Sequence, residues 1–271
     1  MTETRSALST PSTRTAASIP RVNDLEWNTK TIYAAVAGPA KKVLSSGSGG
    51  AVNTDPTASH DTWLTHIPPW WRDAELVYHP CIEEAFVLNG AVQLGDRYYG
   101  PGCYVYRPPG ILHGPAFIPS DIGATLFQRF NSEGGILRYE GTEFPHVDSQ
   151  PVTDDHVTWP VPWVEWVDSE TIPWQPVDDG PWSGTAARWL SRNRETGGGT
   201  VLVDIPAGWA GEGTRGRGTS QEFVVHGPMT IGGMVFERWG YSCRAPGEAA
   251  GAYTTSGPAR LICVWDEDEF A

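Results

Sequence analysis

The sequence predicts an all-β protein built from two similar halves. Three observations carry that expectation: dense glycine and proline, short β-rich runs between them, and an ordered set of internal matches. Glycine (31) and proline (23) make up about a fifth of the 271 residues. Glycine weakens a helix interior through backbone entropy, and proline removes a donor there. No long stretch keeps a clean helical period. The first half has runs rich in Val, Ile, Thr, Tyr, Phe and Trp at Thr31–Val36, Thr62–Ile67, Ala74–Tyr78, Ala85–Leu88, Cys103–Tyr106 and Ala124–Phe130. The second has them at Thr200–Ile205, Glu222–Val225, Met229–Ile231 and Ala259–Trp265. Many short strands with frequent turns build sandwiches or barrels. Thirteen tryptophans suit a wide apolar interior.

The internal matches keep their order. Thr62–Trp71 (TWLTHIPPWW) corresponds to Thr200–Trp209 (TVLVDIPAGW) at an offset of 138. Phe86–Gly90 (FVLNG) corresponds to Phe223–Gly227 (FVVHG), and Tyr104–Gly110 (YVYRPPG) to Tyr241–Gly247 (YSCRAPG), both at 137. Upstream, Val43–Ser45 answers Trp189–Ser191 at 146, so the first half carries eight extra residues within Ser46–Asp61. Blocks that recur in order imply a duplication. The expected organisation is a flexible arm over residues 1–20, a first domain over 21–145 and a second over 146–271. Their junction falls in the Pro- and Asp-rich stretch Tyr139–Pro162.

Charge and composition exclude several functions. The net charge is −13, from 19 basic and 32 acidic residues. Such a surface repels phosphate backbones and anionic lipid heads, so neither nucleic acid nor membrane is an expected partner. No apolar run approaches the roughly 18 residues of a membrane helix. The four cysteines form no CxxC pair and no disulfide scaffold. The Ser- and Thr-rich N-terminus has no apolar core of a secretory signal, which makes the cytoplasm the expected location.

Chemistry-bearing residues concentrate in the first half. One block reads His79-Pro-Cys-Ile-Glu83-Glu84-Ala-Phe-Val-Leu-Asn-Gly90. A second reads Gly102-Cys-Tyr-Val-Tyr-Arg-Pro108-Pro-Gly110-Ile-Leu-His113. In these two blocks the chain resembles the cupins, a superfamily of small jelly-roll β-barrels. The cupin first motif places a Glu or His four or five positions after a His, then six residues, then Gly. His79, Glu83 and Gly90 fit it. The second motif is matched by Gly102, Pro108, Gly110 and His113. With the duplication, the whole chain resembles a bicupin of two jelly-roll barrels. The flanking PPWW and YRPPG segments are similar to those of cupins related to anti-sigma-factor sensor domains and to small diketone dioxygenases.

The resemblance implies a metal site formed by His79, Glu83 and His113. It departs from the family pattern at Val77, where the first motif usually has another His. Tyr78, Glu84 and His66 are the nearby groups able to supply a fourth ligand. Two His and one carboxylate are the ligand set of the non-haem Fe(II) facial triad, which leaves positions open for substrate and O₂. One Fe(II) is the expected cofactor, and Mn(II), Zn(II) or Ni(II) also suit these donors. His79 and Glu83 share parity in an extended chain. Glu84 has the opposite parity and reads as solvated or bonded to a loop. Cys81, Tyr104 and Tyr106 are the candidate pocket residues. One parity of the strand before the second motif faces inward, so either the Tyr pair or Arg107 meets substrate. Arg107 recurs as Arg244, which argues for a structural role.

The second half lacks the set: His79 falls on Gly216, Glu83 on Ser220 and His113 on Ala250. Glu222 and Arg217 there read as ordinary polar residues at the barrel mouth. A second barrel without a site suits packing or dimerisation, and a homodimer is compatible with it. The expected function is a metal-dependent oxygenase of a small organic substrate. The alternatives are a redox-neutral isomerase, cyclase or lyase, and a non-catalytic ligand or metal sensor.

Overall fold

The computed structural model describes residues 17–28, 39–45, 62–79, 82–108, 111–130, 137–138, 164–213, 218–267 and 270. The run expected at Thr31–Val36, most of the arm, and Cys81, Gly216 and Arg217 lie outside these residues. Regular structure among the described residues is all strand, apart from two single 3₁₀ turns at Val22–Asp24 and Ser169–Thr171.

Four larger antiparallel sheets form two jelly-roll units, and a fifth, two-stranded sheet pairs Val77–Tyr78 with Leu137–Arg138. The large sheet of the first unit has the order Val164–Asp168, Cys103–Arg107, Glu83–Gly90, Ala124–Phe130, Thr62–Ile67, Ala40–Ser45. A four-stranded sheet of Arg72–Asp73, Ala116–Phe117, Val92–Leu94 and Arg97–Tyr99 accompanies it. The second unit repeats the pattern. Its large sheet has the order Ala17–Ile19, Tyr241–Arg244, Ser220–His226, Ala259–Glu267, Gly197–Ile205, Thr185–Arg192, Gln175–Val177. Its small sheet contains Ala210–Gly211, Tyr253–Thr254, Met229–Ile231 and Met234–Phe236. The glycines that close the matched blocks Phe86–Gly90 and Phe223–Gly227 serve a tight strand end. Gly90 has φ +72°, and a Cβ there would lie 1.8 Å from the Gly123 carbonyl oxygen. Gly227 repeats this, with φ +75° and 2.2 Å to the Pro258 oxygen.

Two edge strands are exchanged between the units. Ala17–Ile19 pairs with Tyr241–Cys243 of the second large sheet, so this part of the expected arm is a bonded strand. Val164–Asp168, assigned by sequence to the second domain, pairs with Cys103, Tyr104 and Tyr106 of the first large sheet. Each occupies an edge whose backbone donors and acceptors need partners. The run expected at Ala74–Tyr78 shortens to Val77–Tyr78, because the Asp73 carboxylate accepts from the Glu75 N–H (3.0 Å) and turns the chain.

The large sheets pack face to face. Leu64, Phe86, Tyr104 and Phe127 of one meet Leu202, Phe223, Tyr241 and Ile262 of the other in one buried cluster. The rings of Phe127 and Phe223 lie 4.8 Å apart. Strand alternation then sends every second residue into this interface and the others into a barrel. Glu84 and Phe86 face the interface, while Glu83, Ala85 and Val87 face the first barrel.

Two buried hydroxyl networks seal the interface in duplicate. Tyr104 donates to Glu84 Oε2 (3.0 Å) and hydrogen-bonds Ser191 (2.9 Å), and Thr200 also donates to Glu84. In the second copy Tyr241 hydrogen-bonds Gln221 Oε1 (2.9 Å) and Ser45 (2.7 Å), and Thr62 donates to Gln221 (2.8 Å). Glu84 is an acid, and Arg129 pairs with it at 2.5 Å. Gln221 is neutral, and the residue paired across from it is Val264. Tyr104→Phe is expected to cost about 1.5–3 kcal/mol, because a carboxylate loses a donor, and Tyr241→Phe only about 1 kcal/mol. Urea unfolding of the two variants measures the difference.

Candidate metal centre

The first barrel holds a cavity of about 150 Å³. Its walls are mostly apolar, with Trp63, Ile67, Val92, Leu94, Val105, Ile118 and Leu126 among them. At one side His79, Glu83 and His113 converge, with one ligand atom from each all within 4.8 Å of one another. His79 follows the short strand Val77–Tyr78, and Glu83 opens the strand Glu83–Gly90. His113 is tied to Val77 by a reciprocal pair of backbone hydrogen bonds of 3.0 and 2.9 Å. Nε2 of each histidine lies 3.6 Å from Glu83 Oε2. The two imidazole rings stack at 5.2 Å, and Phe130 packs edge-on against His79.

The electrostatics favour an ionised Glu83 carboxylate beside a neutral His113 imidazole. His113 Nδ1 lies 3.0 Å from the Ile111 carbonyl, which can only accept. The proton therefore sits on Nδ1, and Nε2 keeps its lone pair toward the cluster. Burial and then the Arg107 charge push His113 down to about 3. Burial opposes ionisation of Glu83, yet the positive charge around it, with Arg107 both charged and hydrogen-bonded to it, outweighs burial and holds the carboxyl at about 2. Arg107 Nη1 donates to Glu83 Oε2 at 2.9 Å, and Gln128 Nε2 approaches Oε1 at 3.4 Å. The donor chemistry and spacing fit a divalent ion.

The candidate fourth ligands go elsewhere. Glu84 is buried in the interface network, neither solvated nor near the cluster, because its parity turns it away. His66 bonds Thr125 and lies against Trp27, on the face of its strand opposite the cavity-lining Thr65 and Ile67. Tyr78 sits on the strand beside Leu137 and is not part of the cavity wall. Val77 lines the wall, so the position where the motif resemblance leads one to look for a further histidine is apolar here.

The pocket assignments are corrected in part. Tyr104 and Tyr106 point into the interface, and the other parity, Cys103, Val105 and Arg107, lines the cavity. Sequence reasoning missed Tyr99, Cys103 and Gln128. Tyr99 donates to Glu165 on the exchanged strand (3.1 Å), and burial, joined by that carboxylate, pushes its hydroxyl up to about 12. The alternation of Cys103–Arg107 was the signal for Cys103, but its phase depended on which face meets the second barrel.

Aromatic side chains occupy much of the second barrel. Trp182 stacks on Trp209 and packs against Tyr253 and Trp265. Ser220 and Ala250 stand at the positions matched to Glu83 and His113 of the first barrel. Glu222, expected at the mouth, is instead 1% exposed and paired with Arg244. The sequence placed it at the mouth for lack of a partner, and the register supplies one.

Two jelly-roll units, the first carrying one His-Glu-His cluster, give the chain a two-barrel fold with a single candidate metal centre among the described residues. The chain belongs to the family described as a domain of unknown function, DUF4437, whose model matches residues 79–241. No curated protein matches the sequence. Among solved structures, a putative dioxygenase from Nostoc punctiforme is similar, with TM-score 0.76 and 15% identity over 98% of this chain and 87% of that one. A mutant of salicylate 1,2-dioxygenase from Pseudoaminobacter salicylatoxidans aligns with TM-score 0.58 and 15% identity, over 83% and 76%. A mutant of oxalate decarboxylase from Bacillus subtilis gives 0.55 and 13%, over 99% and 81%. At these identities the likeness is one of fold. No helix among the described residues is long and apolar enough to cross a membrane.

Purified protein is expected to hold about one divalent ion per chain, since the donor set occurs once. His113→Ala should reduce that content by at least about tenfold, the scale of a lost ligand or its support. Elemental analysis of both proteins checks this.

Proposed function

We propose that the protein is a metal-dependent oxygenase of a small organic molecule, with His79, Glu83 and His113 holding one Fe(II) in the first barrel. The observation that carries this reading is the convergence of two imidazoles and one carboxylate, within 4.8 Å, on an apolar cavity. Three protein ligands leave positions for substrate and O₂. A bound ion supplies Lewis-acid and one-electron chemistry there. The chain's own groups do the rest. Ile111 fixes the tautomer of His113, Arg107 and Gln128 orient Glu83, and the apolar walls keep bulk water from the reacting atoms.

The likeness to a putative dioxygenase and to salicylate 1,2-dioxygenase supports the oxygenase reading. The likeness to oxalate decarboxylase spans both barrels and supports a second reading, a redox-neutral metal enzyme. Oxygen consumption separates them. The expected result is O₂ uptake with an Fe(II)-loaded protein on a panel of small diketones, phenols and hydroxy acids. Turnover without O₂, retained with Zn(II), overturns the oxygenase and establishes the second reading.

Glu83 contributes charge as well as a ligand atom. Arg107 and Glu83 together are neutral, so a divalent ion leaves the site doubly positive in an apolar cavity, where uncompensated charge is costly. Glu83→His, loaded to equal iron content, is expected to bind an anionic substrate but turn it over at a different rate, because the site gains one more positive charge. Oxygen electrode rates on matched samples read the effect, and equal rates would reduce Glu83 to a plain ligand.

A further inference from the structure

We infer that Arg107 is the substrate anchor of the cavity, binding a ligand carboxylate in the space that the Glu222 side chain fills in the second barrel. This deepens the reading above and rests on its assignment of the cavity as a substrate site. It names the substrate class as small carboxylic acids.

The two barrels share one register. Arg107 lies directly across from Glu83, and Arg244 directly across from Ser220. In the second barrel the acid sits two residues along the same face, at Glu222. There both terminal nitrogens of Arg244 are engaged: Nη1 donates to Oε2 (2.6 Å) and Nη2 to Oε1. The Tyr253 hydroxyl adds a third bond to that carboxylate, at 3.2 Å. This is the two-pronged geometry that a guanidinium favours with a carboxylate.

In the first barrel that carboxylate is missing, and so is its tyrosine. The strand pairings place Ala85 where Glu222 stands and Ala116 where Tyr253 stands. Both alanines line the cavity. Arg107 is 3% exposed, yet among the described residues it makes one side-chain hydrogen bond, from Nη1 to Glu83, and its Nε and Nη2 have no partner. Unmet donors on a buried cation are expensive, about 1–3 kcal/mol each. The duplication thus retained the arginine, removed its internal counter-ion, and opened room beside it. Glu83 links this anchor to both imidazoles, so a carboxylate held by Arg107 presents its adjoining atoms to the cluster.

The test uses wild-type protein in metal-free and Zn(II)-loaded forms, titrated calorimetrically with acetate and benzoate and with the neutral amides acetamide and benzamide. At least one carboxylate is expected to bind both forms, at least about tenfold more tightly than its amide, the scale of one charge-assisted hydrogen bond. Ala85→Glu installs the second barrel's internal carboxylate, and Arg107→Gln removes the cation. Each should weaken carboxylate binding by at least about tenfold. Ala85→Glu should keep the wild-type Zn(II) content, because it leaves the three donors in place. No binding of either carboxylate, equal affinity for acid and amide, or unchanged binding in Arg107→Gln overturns the inference, whether or not Ala85→Glu folds. Metal content and oxygen uptake are measured separately. Their failure removes the oxygenase reading and leaves the anchor standing, while carboxylate-independent binding beside normal oxygen uptake does the reverse.

Discussion

The packing of the two large sheets against each other is the constraint on which the rest of the molecule depends. A sheet buried on one face can leave its other residues in water. Here the central strands are buried on both faces, between the partner sheet on one side and a barrel interior on the other. Alternation then divides each strand strictly into interface residues and barrel residues. That division decides which side chains reach the cavity. Glu83 does and Glu84 does not, although they are neighbours in sequence and equally acidic. Arg107 does and Tyr106 does not.

Burial on both faces also explains the polar chemistry of the interface. Each large sheet brings a tyrosine, a hydroxyl pair and one acid or amide to a dry surface, where every polar group needs a partner. The second copy meets this with a neutral glutamine. The first uses Glu84 and must also supply Arg129 to balance the charge. Edge-strand exchange adds to the same joint, since each unit completes the other's sheet. It also brings Glu165 to Tyr99 at the first cavity.

The two barrels are one scaffold used in two ways. In the second, Trp182, Trp265 and Tyr253 form an aromatic core and Glu222 pairs with Arg244 inside it. In the first, smaller residues at matched positions leave a cavity, and a donor cluster occupies one wall. An open cavity beside partly unpaired buried groups is a cost to stability, of the kind associated with function.

Much of this was legible in the sequence. Gly and Pro density pointed to the all-β class, the repeated blocks to the duplication, and two spaced motifs to His79, Glu83 and His113, whose side chains cluster in the fold. The side chains of motif residues converge because short turns hold them, so spacing alone was informative. What the sequence could not decide was the phase of each strand relative to its surroundings. Tyr104, Tyr106 and Arg107 are equal candidates for the cavity until it is known which face meets the other sheet. Glu222 looked like a mouth residue because nothing in the local sequence announces a buried partner two positions off register. Val164–Asp168 and Ala17–Ile19 could not be assigned to the sheets they complete, since edge pairing between distant segments leaves no local periodicity. Local pattern determined which chemistry the chain carries, and long-range packing determined where that chemistry points.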